Sequence, residues 1–395
     1  MALPAYDVRL RISPPPSASG VTVTLVQTSA DQDAFLKFPY ALYRDDPNWV
    51  PPLLMERRDF LDPKRNPWFE FGKVQLFLAR QGADVVGRIA AISNPRYDAF
   101  HGTKVGWFGM FECVNDAGVA QGLLEAASAW ARAQGAEELV GPANFSSNYE
   151  WATLVEGFDA PPVVNMPYNP RYYPALFEAC GLEKAKDLYA FELSSSAPPP
   201  EKVVRIAEKI RQREGVTVRP LNMKDFDADV ARIKTIYNAA WEKNWGFVPM
   251  TDKEFAHQVR EMKSVVDPEL VLLAEVKGEA VAFSMTLPDL NIALKAAQGR
   301  LTQYGLPVGL IKLLWTSRRI RRARLVTLGI KEGFRRRGLD AVLYLDTIQT
   351  AKRLGYTGGE ISWTLEDNAL VNRAIESMGG RKYKTYRVFR RGLRP

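Results

Sequence analysis

The chain has 395 residues, an apolar share of 46% with nine Trp, fifteen Tyr and nineteen Phe, and a net charge of +8. This length asks for two domains, the apolar share supplies two cores and excludes global disorder, and the basic balance implies anionic partners such as cofactor phosphates, nucleic acid or an anionic lipid surface. Two cysteines, Cys113 and Cys180, are too few for a disulfide framework, read as small buried hydrophobes and fit a reducing, cytoplasmic compartment. The two histidines, His101 and His257, stand in opposite halves, which argues against a His-based metal site or a Ser-His-Asp triad, so no metal is expected. No uncharged apolar run reaches about 18 residues, so no spanning helix is expected.

In chain order, residues 1–20 carry Pro14-Pro15-Pro16 and no apolar h-region, and read as a loose arm rather than a signal peptide. A first half, 21–193, follows: a strand over 21–26, a helix near 31–43, hairpin strands 74–80 and 84–92, a strand 104–114, a helix 117–134, a strand 138–141 and a closing strand 189–193. Between the last two lies a polar and aromatic stretch in which Asn144 and Tyr168 are candidate walls of an acceptor pocket. The small-residue and proline run 194–200 reads as a linker.

The second half, 201–395, repeats the plan. A strand over 216–221 leads to an amphipathic helix 225–241, Thr251 caps a further helix, and 270–276 pairs with 280–287 across Lys277-Gly278-Glu279. Two matched halves imply duplication. An insertion, 289–323, then separates two strands, and its Leu306–Trp315 run beside Arg318, Arg319, Arg321 and Arg322 suits an interfacial contact with anionic lipid. A strand over 324–330 breaks into Lys331-Glu332-Gly333-Phe334-Arg335-Arg336-Arg337-Gly338-Leu339-Asp340, and a helix continues to about Leu354. Glycine there lets amides converge, the helix start adds partial positive charge, and three arginines add full charges, which together suit a phosphate. The spacing is neither that of a P-loop nor that of a dinucleotide fingerprint. A strand 359–365, Asn368 opening a helix to Met378, Gly379-Gly380 and an alternating run 382–389 complete the half.

Ile330, then Arg335-Arg336-Arg337-Gly338-Leu339-Asp340, then Asn368 eleven residues before Gly379, resembles the pyrophosphate loop and second half of the GNAT N-acyltransferase superfamily. The resemblance covers both halves and implies an α/β mixed-sheet fold of two tandem GNAT-like domains, the second holding an acyl-CoA co-substrate. It departs at Asp340, where the family has Gly or Ala. In the first half the equivalent turn, Val114-Asn115-Asp116-Ala117-Gly118, has no Arg-x-x-Gly and an added acid, so this copy is expected not to bind coenzyme A in the usual way.

By the same resemblance, Leu328 offers its backbone N–H to the acyl carbonyl, and Leu328, Ile330, Arg335, Arg336, Arg337, Gly338, Leu339, Asp340 and Asn368 contact the cofactor. The family's two usual proton carriers map to Arg324 and Ile375, neither of which can serve. Asp289, Glu360 and Tyr344 remain as acid or base candidates, and Trp241, Asn244, Trp245 and Asn291 as acceptor contacts. Tryptophans in that loop and the insertion point to an apolar acceptor, and the whole chain resembles the bacterial ceramide synthase type of N-acyltransferase. An aminoacyl-tRNA-dependent peptide ligase, an N-acetyltransferase of a small soluble amine and a non-enzymatic acyl-CoA-responsive module at the membrane are the alternatives. RNA-recognition module signatures are absent, which weighs against nucleic acid.

Overall fold

The computed structural model describes residues 20–194, 198–263, 265–302 and 305–393. Most of the arm expected at 1–20, and 195–197 of the linker, lie outside the described residues. The chain forms two compact units. One comprises the chain up to Asp187 with Ala297–Gly309 and the chain from Tyr386, and the other comprises Leu188–Ala296 with Leu310–Thr385.

The amino unit contains β1 (Val21–Leu25), α1 (Ser29–Leu42), α2 (Leu54–Phe60), β2 (Lys73–Gln81), β3 (Asp84–Ser93), α3 (Pro95–His101), β4 (Val105–Cys113), α4 (Ala117–Ala133), β5 (Glu138–Gly141), β6 (Thr153–Glu156), α5 (Tyr173–Ala179) and the start of β7 (Glu183–Ser194). A capping box opens α1: Asp31 N–H donates to Thr28 Oγ1 at 3.1 Å and Thr28 N–H returns to the Asp31 carboxylate at 3.1 Å. Strands β1 to β4 are antiparallel neighbours and β4 runs parallel to β5. Helix α4 turns Leu123, Leu124, Ala127 and Trp130 into the core over that sheet, each large apolar side chain contributing about 1.5–3 kcal/mol by its burial. Both Cys113 and Cys180 are buried here, and burial pushes the Cys180 thiol up to about 11.

The carboxy unit contains the rest of β7, α6 (Glu201–Glu214), β8 (Val216–Pro220), α7 (Phe226–Trp241), α8 (Asp252–Lys263), β9 (Val271–Val276), β10 (Glu279–Pro288), α9 (Asn291–Ala297), α10 (Val308–Ser317), β11 (Arg322–Ile330), α11 (Leu339–Arg353), β12 (Gly358–Leu365), α12 (Ala369–Ser377) and the start of β13 (Arg381–Gly392). Strands β8, β9, β10 and β11 are antiparallel neighbours, and β11 runs parallel to β12. Apolar residues of α11 (Leu339, Val342, Leu343) and α6 (Ala207, Ile210) pack with Leu272, Ala274 and Ala282 on one face. Ile236 of α7 packs with Leu273 and Phe283 in a second cluster. Thr251 caps α8 as expected, its Oγ1 accepting from Glu254 N–H at 3.1 Å.

Two features differ from the sequence expectation. The segment 189–193, expected to close the amino half, pairs instead with β12, from Gly358↔Ser194 to Leu365↔Leu188, and the amino unit is closed by Phe389–Gly392 against β5. Both β7 and β13 run for twelve residues, roughly twice a usual strand, so each continues after its first unit ends, and alternation alone does not say which ladder a strand joins. Helix α6 was also unread in the sequence, because the proline run that precedes it reads as linker up to its first residue.

Candidate active site

In the carboxy unit the parallel ladder between β11 and β12 is short. It runs from Arg322↔Gly358 to Leu325↔Ile361 and stops. Immediately beyond, β11 carries a bulge: Thr286 faces Leu325 and Met285 faces Thr327, leaving Val326 as the extra residue. The bulge bends β11 away from β12, and Leu328 and Ile330 lie on the diverging arm that leads into the basic loop.

The loop ends at Gly338, which holds φ +85° as the residue before α11. The dihedral calls for glycine, and a Cβ there would sit 2.3 Å from Ile210 Cδ1, so a larger residue would also have to displace the tip of that side chain on α6. No side chain caps the first turn of α11, and its amide end carries the partial positive charge of the helix. The three arginines divide. Arg335 donates to Ala239 O at 2.7 Å and Ala240 O at 3.0 Å, satisfying the last carbonyls of α7 and tying the loop to that helix. Arg337 pairs with Glu214 at 3.3 Å and lies over the Phe334 ring. Arg336 is exposed, holds φ +61° and, among the described residues, makes no hydrogen bond or ion pair. An uncapped helix start with a glycine turn and a free guanidinium suits a pyrophosphate, while the Asp340 carboxylate in the first turn is the one opposing charge there.

Trp241 ends α7, stacked on Tyr237 with ring centroids 5.0 Å apart, and its ring lies against β11 where Gly329 leaves room. Asn244 and Trp245 follow in the turn after it, Asn244 N–H donating to Trp241 O at 2.8 Å. Asn368 directly precedes α12 without a side-chain cap bond, and Asn291 opens α9 two residues after Asp289.

A buried ionisable cluster stands where the β11–β12 ladder ends. Register pairs Arg324 with Glu360, and alternation places Ser362 on the same face. Arg324 is 3% exposed, and its Nε donates to Ser362 Oγ at 2.9 Å and its Nη2 to Ser362 O at 3.2 Å. Ser362 Oγ and Tyr383 OH each donate to one oxygen of the Glu360 carboxylate. Lys384 is 1% exposed, and burial brings its ammonium down to about 8 against the opposing pull of Glu360 and Asp289. Thus Asp289 and Glu360, two of the sequence candidates, flank one lysine. Tyr344, on α11, lines the same pocket as Glu360, and burial pushes its phenol well up.

Ser362, Tyr383 and Lys384 were missed in the sequence. Lys384 carried a readable signal, since period two puts it in line with Tyr386 and Val388, both fully buried.

The other two candidates, Asn144 and Tyr168, lie in the amino unit. There β4 and β5 part after Trp107↔Val140, and β4 also bulges, with Met110 at φ +48°. Asn144 fills this opening: its Oδ1 accepts from Met110 N–H at 3.0 Å and its Nδ2 donates to Glu150 at 3.0 Å. Tyr173 OH accepts from Cys113 N–H at 2.8 Å, and the hydroxyls of Tyr43 and Tyr173 both lie 2.7 Å from Glu112 Oε2. Burial raises the Glu112 carboxyl although Arg88 opposes it. Asp116 caps α4, accepting from Gly118 N–H at 2.7 Å and Val119 N–H at 3.1 Å. Tyr168 donates to Asp46 at 2.9 Å.

Among the described residues no group of three His, Cys, Asp or Glu could hold a metal, and no helix is long and apolar enough to cross a membrane.

No family model matches the chain. It is 39% identical over 383 residues to a protein of Caulobacter vibrioides named bacterial ceramide synthase, covering 94% of this chain and 98% of that one. It is 33% identical over 373 residues to Protein YghO of Escherichia coli K12, covering 92% and 93%. Among solved structures it is similar to a tandem GNAT protein from the clavulanic acid biosynthesis pathway, with TM-score 0.55, 12% identity and coverage of 95% and 99%. It is also similar to a GCN5-related N-acetyltransferase from Sphaerobacter thermophilus, with TM-score 0.51, 14% identity and coverage of 96% and 98%. Two bulged, parting strand pairs, one in each unit, are thus the two halves of a tandem GNAT fold, and the chain belongs to the N-acyltransferase family of the Caulobacter bacterial ceramide synthase.

Proposed function

We propose that this protein transfers an acyl group from a coenzyme A thioester to the amino group of a long-chain, sphingoid-base-like lipid, giving a ceramide-type amide. The observation that carries the thioester half is the start of α11, with Gly338 at φ +85°, no side-chain cap and Arg336 unengaged. The amides of the first turn and Arg336 bind the pyrophosphate, and Arg335 keeps the loop on α7. The diverging arm of β11 directs the backbone N–H of Leu328 at the acyl carbonyl, where a fixed donor stabilises developing negative charge.

Attack forms a C–N bond and breaks the C–S bond, so one proton must leave the amine and one must reach the departing sulfur. An alkyl amine has a pKa of about 10, which leaves roughly one molecule in a thousand neutral at pH 7. Glu360, with Ser362 and Tyr383 hydrogen-bonded to it, takes that proton, and Asp289 and Lys384 complete the buried network through which it is passed on. Tyr344 serves as wall rather than acid.

The lipid half is supported by the name of the Caulobacter relative and by α10. On that helix Ile311 and Trp315 are 61% and 58% exposed, with Leu310 and Leu314 also exposed, and Arg319 lies 3.5 Å over the Trp315 ring. Apolar side chains beside arginines suit a peripheral contact with anionic lipid, from which a lipid amine is drawn. The test is to incubate the protein with acyl-CoA and a sphingoid base, following amide by mass spectrometry and thiol release in parallel. Equal amounts of amide and thiol are expected. Stoichiometric coenzyme A binding without thiol release, over a panel of amines and acyl lengths, would instead make it a binding module.

A further inference from the structure

Behind the point where β11 and β12 part, the carboxy unit has a half-open pocket of about 60 Å³ between the sheet and α11. The last ladder pair, Leu325 and Ile361, lines its buried end, and Tyr356 in the turn after α11 lines the partly exposed end. Tyr344, Ile348 and Ala351 of α11 form one side. From Ile361 to Gly358 the strand spans about 10 Å, and from Tyr344 to Ala351 the helix spans about 10 Å, so the space is a slot and not a pit. The walls are nearly all carbon. Glu360 and Thr347 also line it, and the hydroxyl of Thr286, a residue 3% exposed, is buried without a hydrogen-bond partner. A buried hydroxyl with nothing to bond is costly, and it marks a place where a ligand group would be favoured.

We propose that this slot holds the aliphatic chain of the acyl group, with Thr286 bonding a hydroxyl carried on that chain. The inference rests on the coenzyme A reading above and deepens it. A thioester lying on the diverging arm of β11 has its carbonyl near Leu328, and Leu328 packs in the same cluster as Leu325, Tyr344 and Ile361. The chain leaving that carbonyl meets the Leu325 and Ile361 end of the slot first. An apolar cavity of about 150 Å³ is enough to hold benzene, so the slot as it stands takes only the first few carbons. Longer chains must push Ile348 and Tyr344 aside or leave past Tyr356, which makes those side chains the determinants of chain length.

Three variants test this. Ala351→Phe narrows the slot and Ile348→Ala widens it. With a series of straight-chain acyl-CoAs, the kcat/KM ratio of the longest chain to the shortest falls about tenfold or more in A351F and rises in I348A, the scale expected for one or two methylenes in an apolar pocket. Thr286→Val lowers the preference for a 3-hydroxyacyl chain over the plain chain of equal length, with little change in the length profile. Calorimetric binding of free coenzyme A, which does not enter the slot, stays as in the wild type throughout and shows that each variant is folded. If coenzyme A binds and turnover persists but the length profile is the same in wild type, A351F and I348A, the slot is not the chain site. An unchanged hydroxyacyl preference in T286V removes the role given to Thr286. Failure of the wild type to bind coenzyme A overturns the thioester reading, and the slot with it.

Discussion

The two units use one device and finish it in opposite ways. Each has a strand that runs parallel to its neighbour for three or four residues, bulges, and parts from it before a helix begins. In the amino unit donors at that opening are met from within the chain: Met110 N–H by Asn144, Cys113 N–H by Tyr173, and the Gly118 and Val119 amides of α4 by Asp116. In the carboxy unit the corresponding helix start has a glycine where the other has an aspartate, and nothing caps it. The comparison teaches that the fold supplies the gap and the amides in both copies, while a few side chains decide whether a ligand or the protein itself satisfies them.

The strongest way to break this comparison is to close the carboxy opening. Gly338→Val forces a β-branched residue into φ +85° and against Ile210, so coenzyme A binding is expected to fall at least about a hundredfold, measured by calorimetry. Unchanged affinity would remove the loop from the cofactor site. Glu360→Gln is nearly isosteric and should lower kcat by about a hundredfold or more with KM for the thioester little changed, as loss of a proton carrier does. A matching loss of coenzyme A affinity would point to a structural role instead.

Both units bury ionisable side chains, and Lys384 in the carboxy unit gives a pH test. The folded pKa of Lys384, about 8, lies below its ordinary 10.5, so folding favours the neutral amine. Its contribution to stability is therefore greatest above pH 10.5 and is lost as pH falls towards 8. Comparing wild type with Lys384→Met, the difference in unfolding free energy should swing in favour of the wild type by about 3 kcal/mol between pH 8 and 10.5. A flat difference across that window means that Lys384 is fully charged in the fold. Arg336→Ala, removing the one unengaged guanidinium of the loop, should raise KM for acyl-CoA about tenfold with kcat held, whereas Arg335→Ala should act through stability, since Arg335 caps α7.

Most of the fold was legible because period two and period 3.6 patterns, Thr251 and the Lys277-Gly278-Glu279 turn are local signals. The basic loop was legible for the same reason: six consecutive residues carry it. The division of labour among its arginines was not, because what separates Arg335 from Arg336 is the distant end of α7. The buried network escaped in part for a related reason. Glu360 and Asp289 stood out as acids near strand ends, and Ser362 lies two residues from Glu360 on the same face of β12, but Tyr383 and Lys384 come from β13, a strand far apart in sequence. Tyr189–Leu193 was read correctly as a strand and given the wrong neighbours, since alternation specifies a face and not a partner.

The smallest predicted effect sharpens the comparison most. Asp116→Ala uncaps α4 and leaves the amides of Gly118 and Val119 without their side-chain acceptor, the condition found at α11. Loss of one such cap costs about 1 kcal/mol, a fall of roughly 2–4 °C in Tm for a unit of this size. Coenzyme A stoichiometry by calorimetry should nonetheless stay at one per chain. Asn144 still holds Met110 N–H, Tyr173 still holds Cys113 N–H, and no arginine stands in the turn Val114-Asn115-Asp116-Ala117-Gly118. A second equivalent of coenzyme A bound by D116A would mean that one carboxylate alone keeps the amino unit shut, and that the filled strand opening contributes nothing to the difference between the two copies.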